Sequence, residues 1–217
     1  MPNTFVMSAR QSAELDYAFE RNGWGPEDVK WLSQGSTLAA FLDVRRGTAK
    51  IVPLTPPILI SVGTAKVAPT KLILTQSHYV VIDPSTGRIV SEKYYAGDQF
   101  KAWFVNDKER TCGGSTLAYA KLSRSSVDEP IVKELGGETK AETSLPELFA
   151  LIAAQKNGGS GPLLTDGRAN IFYVRDLQGV LRAVFARWYG GEWSVLAHSV
   201  THPGAWNVGA RVFSRNS

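Results

Sequence analysis

NIFYVRDLQGVLRAVFARWYGGEWSVLAHSV, residues 170–200, is the stretch that decides the fold class. Three runs rich in β-branched and aromatic residues, 170–175, 180–189 and 193–200, are separated by Asp176-Leu177-Gln178-Gly179 and by Gly190-Gly191, both turn sequences. Connections this short join antiparallel neighbours, so the spacing predicts a β-meander. A further strand is expected over 210–214, after Trp206. Upstream, Ser144 and Glu147 have capping-box spacing, Leu148, Leu151 and Ile152 form an apolar stripe, and Asn157-Gly158-Gly159 ends the run. That predicts one well-capped helix over 144–156.

Working back towards the start, 58–62, 71–75 and 78–82 are short runs with strand composition, and Asp83-Pro84-Ser85-Thr86-Gly87 reads as a turn into 88–90. Residues 100–105 fit a strand or part of a helix, and 107–140, with mixed charge and two glycine pairs, gives no clear assignment. The first fifty residues read as three short helices. Ser8 and Gln11 cap the first, Leu15, Ala18 and Phe19 follow at helical intervals, and Asn22-Gly23 stops it. The second opens on Gly25-Pro26-Glu27-Asp28, with Val29 and Leu32 inward. The third has Ser36 as its cap, Leu38, Phe41 and Leu42 on one face, and Arg45-Arg46-Gly47 at its end. Helices so short must pack on one another or on the rest of the chain. Pro53-Leu54-Thr55-Pro56-Pro57 marks the junction, because consecutive prolines enforce extended backbone. The expected fold is therefore α+β: a helical unit, 1–52, and a mostly antiparallel β part, 58–217, which could be one continuous domain with it.

Of the 217 residues, 43% are hydrophobic and 20% charged, a globular composition, and no apolar run approaches the eighteen or so that a bilayer span needs. The start lacks the basic and apolar segments of a secretory signal, and Glu14, Asp16 and Glu20 do not fit a transit peptide, so cytoplasmic residence is expected. The single cysteine, Cys112, can form neither an intramolecular disulfide nor a structural zinc site.

The pattern Asn170-Ile171-Phe172-Tyr173-Val174, Gly179-Val180-Leu181-Arg182, Glu192-Trp193-Ser194-Val195 and Arg211-Val212-Phe213-Ser214-Arg215-Asn216 resembles short uncharacterised bacterial proteins. The resemblance covers mainly 144–217 and more loosely the first helices. It implies a small bacterial cytoplasmic protein and carries no activity.

The net charge of +4 becomes informative when divided along the chain. Residues 1–150 hold seventeen basic and seventeen acidic side chains, so the whole excess lies in the last 67 residues. After Lys156 every cation there is arginine, interleaved with Phe172, Tyr173, Phe185, Trp188, Tyr189, Trp193, Trp206 and Phe213. Arginine forks hold phosphates and aromatic rings stack bases, so this pattern suits single-stranded nucleic acid or another anionic polymer. Tyr173, Arg175, Arg182, Arg187 and Trp188 are the expected contact residues of a non-catalytic binding or accessory protein. Aromatics that merely fill a core, and arginines that flank strands, would produce the same pattern.

Two other classes are open. A protein partner could dock on the N-terminal helices, where Trp24 and Trp31 flank the second helix. A metal-independent ribonuclease could use Glu192 and His198 for proton transfer and Arg187 or Arg182 against phosphate charge. His198 and His202 are four apart but straddle a strand end and Pro203, so their spacing does not suggest a metal, and no cofactor motif is present. The six basic and six acidic side chains of residues 1–50 argue against a helix-turn-helix DNA reader.

Overall fold

A computed structural model describes residues 6–51 and 56–215, which fall into two compact units, 1–55 and 56–217. The first five residues, on which part of the cytoplasmic expectation rests, lie outside the described residues, as do most of the proline junction and Asn216.

The first unit is three helices, α1 (Ala9–Arg21), α2 (Pro26–Leu32) and α3 (Thr37–Arg46). Their ends follow from local chemistry. The Ser8 backbone N–H donates to Gln11 Oε1 at 2.9 Å, and the Gln11 N–H donates back to Ser8 Oγ at 3.3 Å. Asp28 accepts from the Gly25 N–H at 2.8 Å, and Gly47, at φ 77°, closes α3 in the left-handed region. Ser36 sits at the cap of α3, but its hydroxyl makes no capping bond; Thr37 Oγ1 instead donates to the Gln34 carbonyl at 2.9 Å. None of the three helices buries a side chain, and Val29, Leu38, Phe41 and Leu42, expected to face inward, are exposed.

The second unit contains β1 (Leu59–Val67), β2 (Thr70–Leu74), β3 (His78–Asp83), β4 (Arg88–Lys93), β5 (Tyr95–Ala96), α4 (Asp98–Phe104), β6 (Arg110–Cys112), β7 (Ser115–Leu122), α5 (Asp128–Glu134), α6 (Glu138–Ala141), α7 (Leu145–Ala154), β8 (Asn170–Arg175), β9 (Leu181–Tyr189), β10 (Glu192–Ser199) and β11 (Arg211–Arg215). One sheet has the order β1-β7-β11-β8-β9-β10-β5, the other β4-β3-β2-β6. This is the α+β architecture with a C-terminal meander. β11 does not extend the meander at β10. It returns to lie parallel to β8 and antiparallel to β7, and so stitches the meander to the earlier strands.

The ambiguous stretch at 100–105 belongs to a helix: Phe100 and Phe104, four apart, are both buried and their ring centroids lie 5.2 Å apart. The unassigned 107–140 holds β6, β7, α5 and α6. In α7, Leu148, Leu151 and Ile152 are buried as their spacing requires. Glu147 caps that helix by accepting from Ser144 N at 2.7 Å and Ser144 Oγ at 2.9 Å, while its second oxygen accepts from Ser115 Oγ at 2.6 Å. The cap therefore also ties α7 to β7.

Two cores lie on opposite faces of the larger sheet. One joins Phe172, Val174, Val184, Ala186 and Val195 to α7 and the smaller sheet; the other joins Ile171, Tyr173, Leu181, Ala183 and Phe185 to Ile131 of α5, Ala141 of α6 and Trp206. Alternate residues of β8 and β9 feed alternate cores, so these central strands read as almost continuous apolar runs.

Candidate functional site

The two buried faces decide the fate of the expected anion platform. β8 pairs with β9 without a register shift, Tyr173 opposite Ala183, Val174 opposite Arg182 and Arg175 opposite Leu181. Tyr173, Arg175 and Arg187 therefore share the face covered by α5 and α6, and Arg182 and Trp188 lie on the other.

Tyr173 has no exposed surface and cannot stack a base. Arg175 is held by Glu138 and Glu142, each at 3.0 Å. Arg182 donates to Asp176 Oδ2 at 2.8 Å and lies 4.0 Å over the Trp103 ring. Burial acts to raise the Asp176 carboxyl, but bonds from Arg182, Val180 and Gln178 outweigh it and hold the group below its ordinary range. Trp188 packs edge-on against Trp193 at 5.3 Å, over Gly158, where a Cβ would overlap its indole. The five side chains do not converge on one surface. Alternation separates them, and helices or loops cover both faces except near the strand ends, where Arg175 and Arg187 are exposed.

The expected pairing of Glu192 with His198 is not formed either. They occupy opposite ends of β10, about 20 Å apart at the rise of a strand, and Arg187 stands opposite Ser194 between them. The carboxylate beside His198 is Asp128. Nothing in the unreadable 107–140 stretch marked it beyond the acids and proline of Asp128-Glu129-Pro130, which suit a helix start.

Asp128 begins α5 and is fully buried. It arrives there because Ser126 and Trp206 exchange backbone hydrogen bonds, 2.8 Å and 3.3 Å, pinning the approach to α5 against the β10–β11 connection. Tyr173 Oη donates to Asp128 Oδ1 at 2.8 Å and Trp206 Nε1 donates to the same oxygen at 2.7 Å. Oδ2 has no hydrogen-bond partner and lies 3.7 Å from His198 Nδ1. Burial raises the Asp128 carboxyl above its ordinary value, and the bonds from Trp206 and Tyr173 and the nearness of His198 and His202 only partly oppose it. The Tyr173 phenol is likewise raised, by burial first and then by the charge and hydrogen bond of Asp128.

His198 Nδ1 lies 2.9 Å from the Ser199 carbonyl, and because a carbonyl only accepts, Nδ1 is the donor of that bond. The His198 ring is 4.8 Å from Trp206 and 4.8 Å from His202. His202 Nδ1 accepts from the Gly204 N–H at 3.0 Å. His202 also lines a groove of about 370 Å³, whose walls are Val127, Val132, Leu181, Val200 and Pro203 and whose charged members are Glu129 and Glu138. Glu138 is committed to Arg175; Glu129 is exposed and forms no ion pair among the described residues.

Comparison with protein-family models, curated proteins and solved structures finds no match to this chain. Its function therefore has to be argued from the site alone. Among the described residues, no three His, Cys, Asp or Glu side chains are grouped as metal ligands would be, and no helix is long and apolar enough to cross a membrane.

Proposed function

We propose that the chain is a binding protein whose ligand lies in the groove lined by α5 and the β10–β11 connection, and that this ligand is an apolar body carrying a cationic group. One observation carries the reading: an apolar groove of ligand size is lined also by Glu129, whose exposed carboxylate forms no ion pair among the described residues, and by His202. Val132, Leu181, Val200 and Pro203 supply the hydrophobic contact, Glu129 the charge complement. Residence in the bacterial cytoplasm is part of the same proposal.

The test is a titration with phenethylamine, followed through the imidazole resonances of His198 and His202 by NMR. The expected result is a saturable shift of His202, weakened about tenfold in Glu129→Gln and lost in Val200→Trp, at a half-buried position of the groove wall. Equal binding of the neutral isostere 2-phenylethanol, or no shift with either compound, overturns the reading.

A second reading rests on the Asp128–His198 pair. His198, whose Nδ1 is held by the Ser199 carbonyl and lies 3.7 Å from the buried Asp128 carboxylate, is placed as a proton-transfer group would be, so Asp128 replaces Glu192 in the ribonuclease alternative. RNA incubated in EDTA with wild type and with His198→Ala tests it: cleavage by the wild type alone supports proton-transfer chemistry, and intact RNA in both removes it.

A further inference from the structure

We infer that Arg168 and Arg187 form a binding site for a phosphate group, separate from the groove and independent of the ligand proposed there. Arg168 comes from the loop before β8, Arg187 from β9, and Trp206 and Asn207 from the β10–β11 connection, yet all four line one pocket of about 120 Å³. That is ample room for a tetrahedral oxyanion.

The charge in this pocket is only half compensated. Arg168 Nη2 pairs with Asp166 at 2.9 Å; Arg187 pairs with no carboxylate among the described residues and instead lies 5.1 Å over the Phe185 ring. Two guanidinium groups at one pocket with a single carboxylate paired to them leave a positive charge that an anion would neutralise. Contact with Phe185 holds the Arg187 fork without consuming its donors, which suits bidentate recognition of phosphate.

The placement of Arg168 also depends on a missing side chain. A Cβ on Gly209 would overlap Arg168 Nη1, and Gly209 sits at φ +86°, so glycine both permits the turn and leaves the guanidinium its place. The Asn207 carboxamide makes no hydrogen bond within the described protein and adds a neutral donor at the same rim. Of the residues expected from sequence to bind anions, Arg187 is the one retained. Arg168, Trp206 and Asn207 are its new companions.

The ligand chemistry is a phosphate oxyanion, which a free phosphate monoester or the backbone of single-stranded nucleic acid would each supply. Three probes are titrated at low and moderate salt: inorganic phosphate, thymidine 5′-monophosphate and a ten-residue oligothymidylate. Binding is read from the Trp206 indole Nε1–H and Arg187 Nε–H resonances. Both signals should move together with at least one probe. Affinity should fall about tenfold or more in Arg187→Gln, whose thermal unfolding is checked in parallel, and in Arg168→Gln. Gly209→Ala should weaken binding by displacing Arg168. A response to phosphate and the monophosphate assigns the site to a monoester, whereas a response to the oligomer alone, with steep salt dependence, assigns it to a polymer backbone. Glu129→Gln, which weakens binding in the groove, should leave phosphate binding unchanged, so the two proposals fail separately. Absence of any shift at millimolar probe and low salt, or undiminished affinity in the double variant Arg168→Gln with Arg187→Gln, overturns the inference.

Discussion

Replacing Asp128 by alanine removes the one acceptor shared by Tyr173 Oη and Trp206 Nε1, both of which belong to buried side chains. Each stranded donor costs about 1–3 kcal/mol, and removing a buried charge offsets part of the sum, so Asp128→Ala is expected to destabilise the second unit by about 3 kcal/mol. Asp128→Asn keeps a carbonyl oxygen in the place of Oδ1 and should lose less than about 1.5 kcal/mol at neutral pH. Urea unfolding followed by tryptophan fluorescence separates the two, because with a slope of about 2 kcal/mol/M the alanine variant unfolds about 1.5 M earlier. The pH dependence distinguishes the charge from the hydrogen bonds. Asp128 is raised above its ordinary value of 3.8 in the folded state, so its contribution to stability is complete below 3.8 and is lost as the pH rises through the folded value. Wild type should therefore gain on Asp128→Asn as the pH is lowered from 7 to below 4. The opposite slope would show that Asp128 behaves as the ionised partner of His198, and a loss of less than 1 kcal/mol in Asp128→Ala would refute its role in fastening α5 to the sheet.

Arg182→Ala should destabilise by about 1.5–3 kcal/mol in chemical denaturation, since it strips a charged bond from the buried Asp176 side chain. Asp176 is lowered in the folded state, so its contribution is present above 3.8 and lost as the pH falls through the folded value; the variant should lose part of that acid sensitivity. Gly158→Ala should cost about 1–3 kcal/mol by differential scanning calorimetry, because Gly158 has φ +68° and an added Cβ meets the Trp188 indole. In the first unit, Leu38→Ser with Phe41→Ser should change stability by less than about 0.5 kcal/mol, and amide exchange across α1–α3 should be far faster than in β8 and β9. Protection in α1–α3 equal to that of β9 would show that their apolar residues are covered by a partner.

The parts of the fold that were readable in the sequence rest on local signals. The capping residues Ser8 and Gln11, Gly25 with Asp28, and Ser144 with Glu147 act within one turn of backbone, so their spacing suffices to place helix starts. The glycine turns at 176–179 and 190–191 likewise fix the meander, because a two- to four-residue connection leaves its strands nowhere else to pair. The helix at 98–104 and the elements of 107–140 were not readable from such signals, since the apolar run at 100–105 fits either period and the burial of these elements depends on distant partners.

The candidate sites show the same division. By itself the sequence determined which residues alternate along β8 and β9, where the arginines concentrate, and that His198 lies on a strand. Only the tertiary structure decided that both faces of those strands are covered over most of their length. That buries Tyr173, commits Arg182 to Asp176 and Trp103, and leaves Arg187 exposed. It also decided that Asp128, seventy residues before His198, is its carboxylate neighbour, and that Arg168 meets Arg187 beside Trp206. The physical reason is that face alternation is a property of the local backbone, whereas what covers a face depends on chain crossings that bring together residues far apart in sequence.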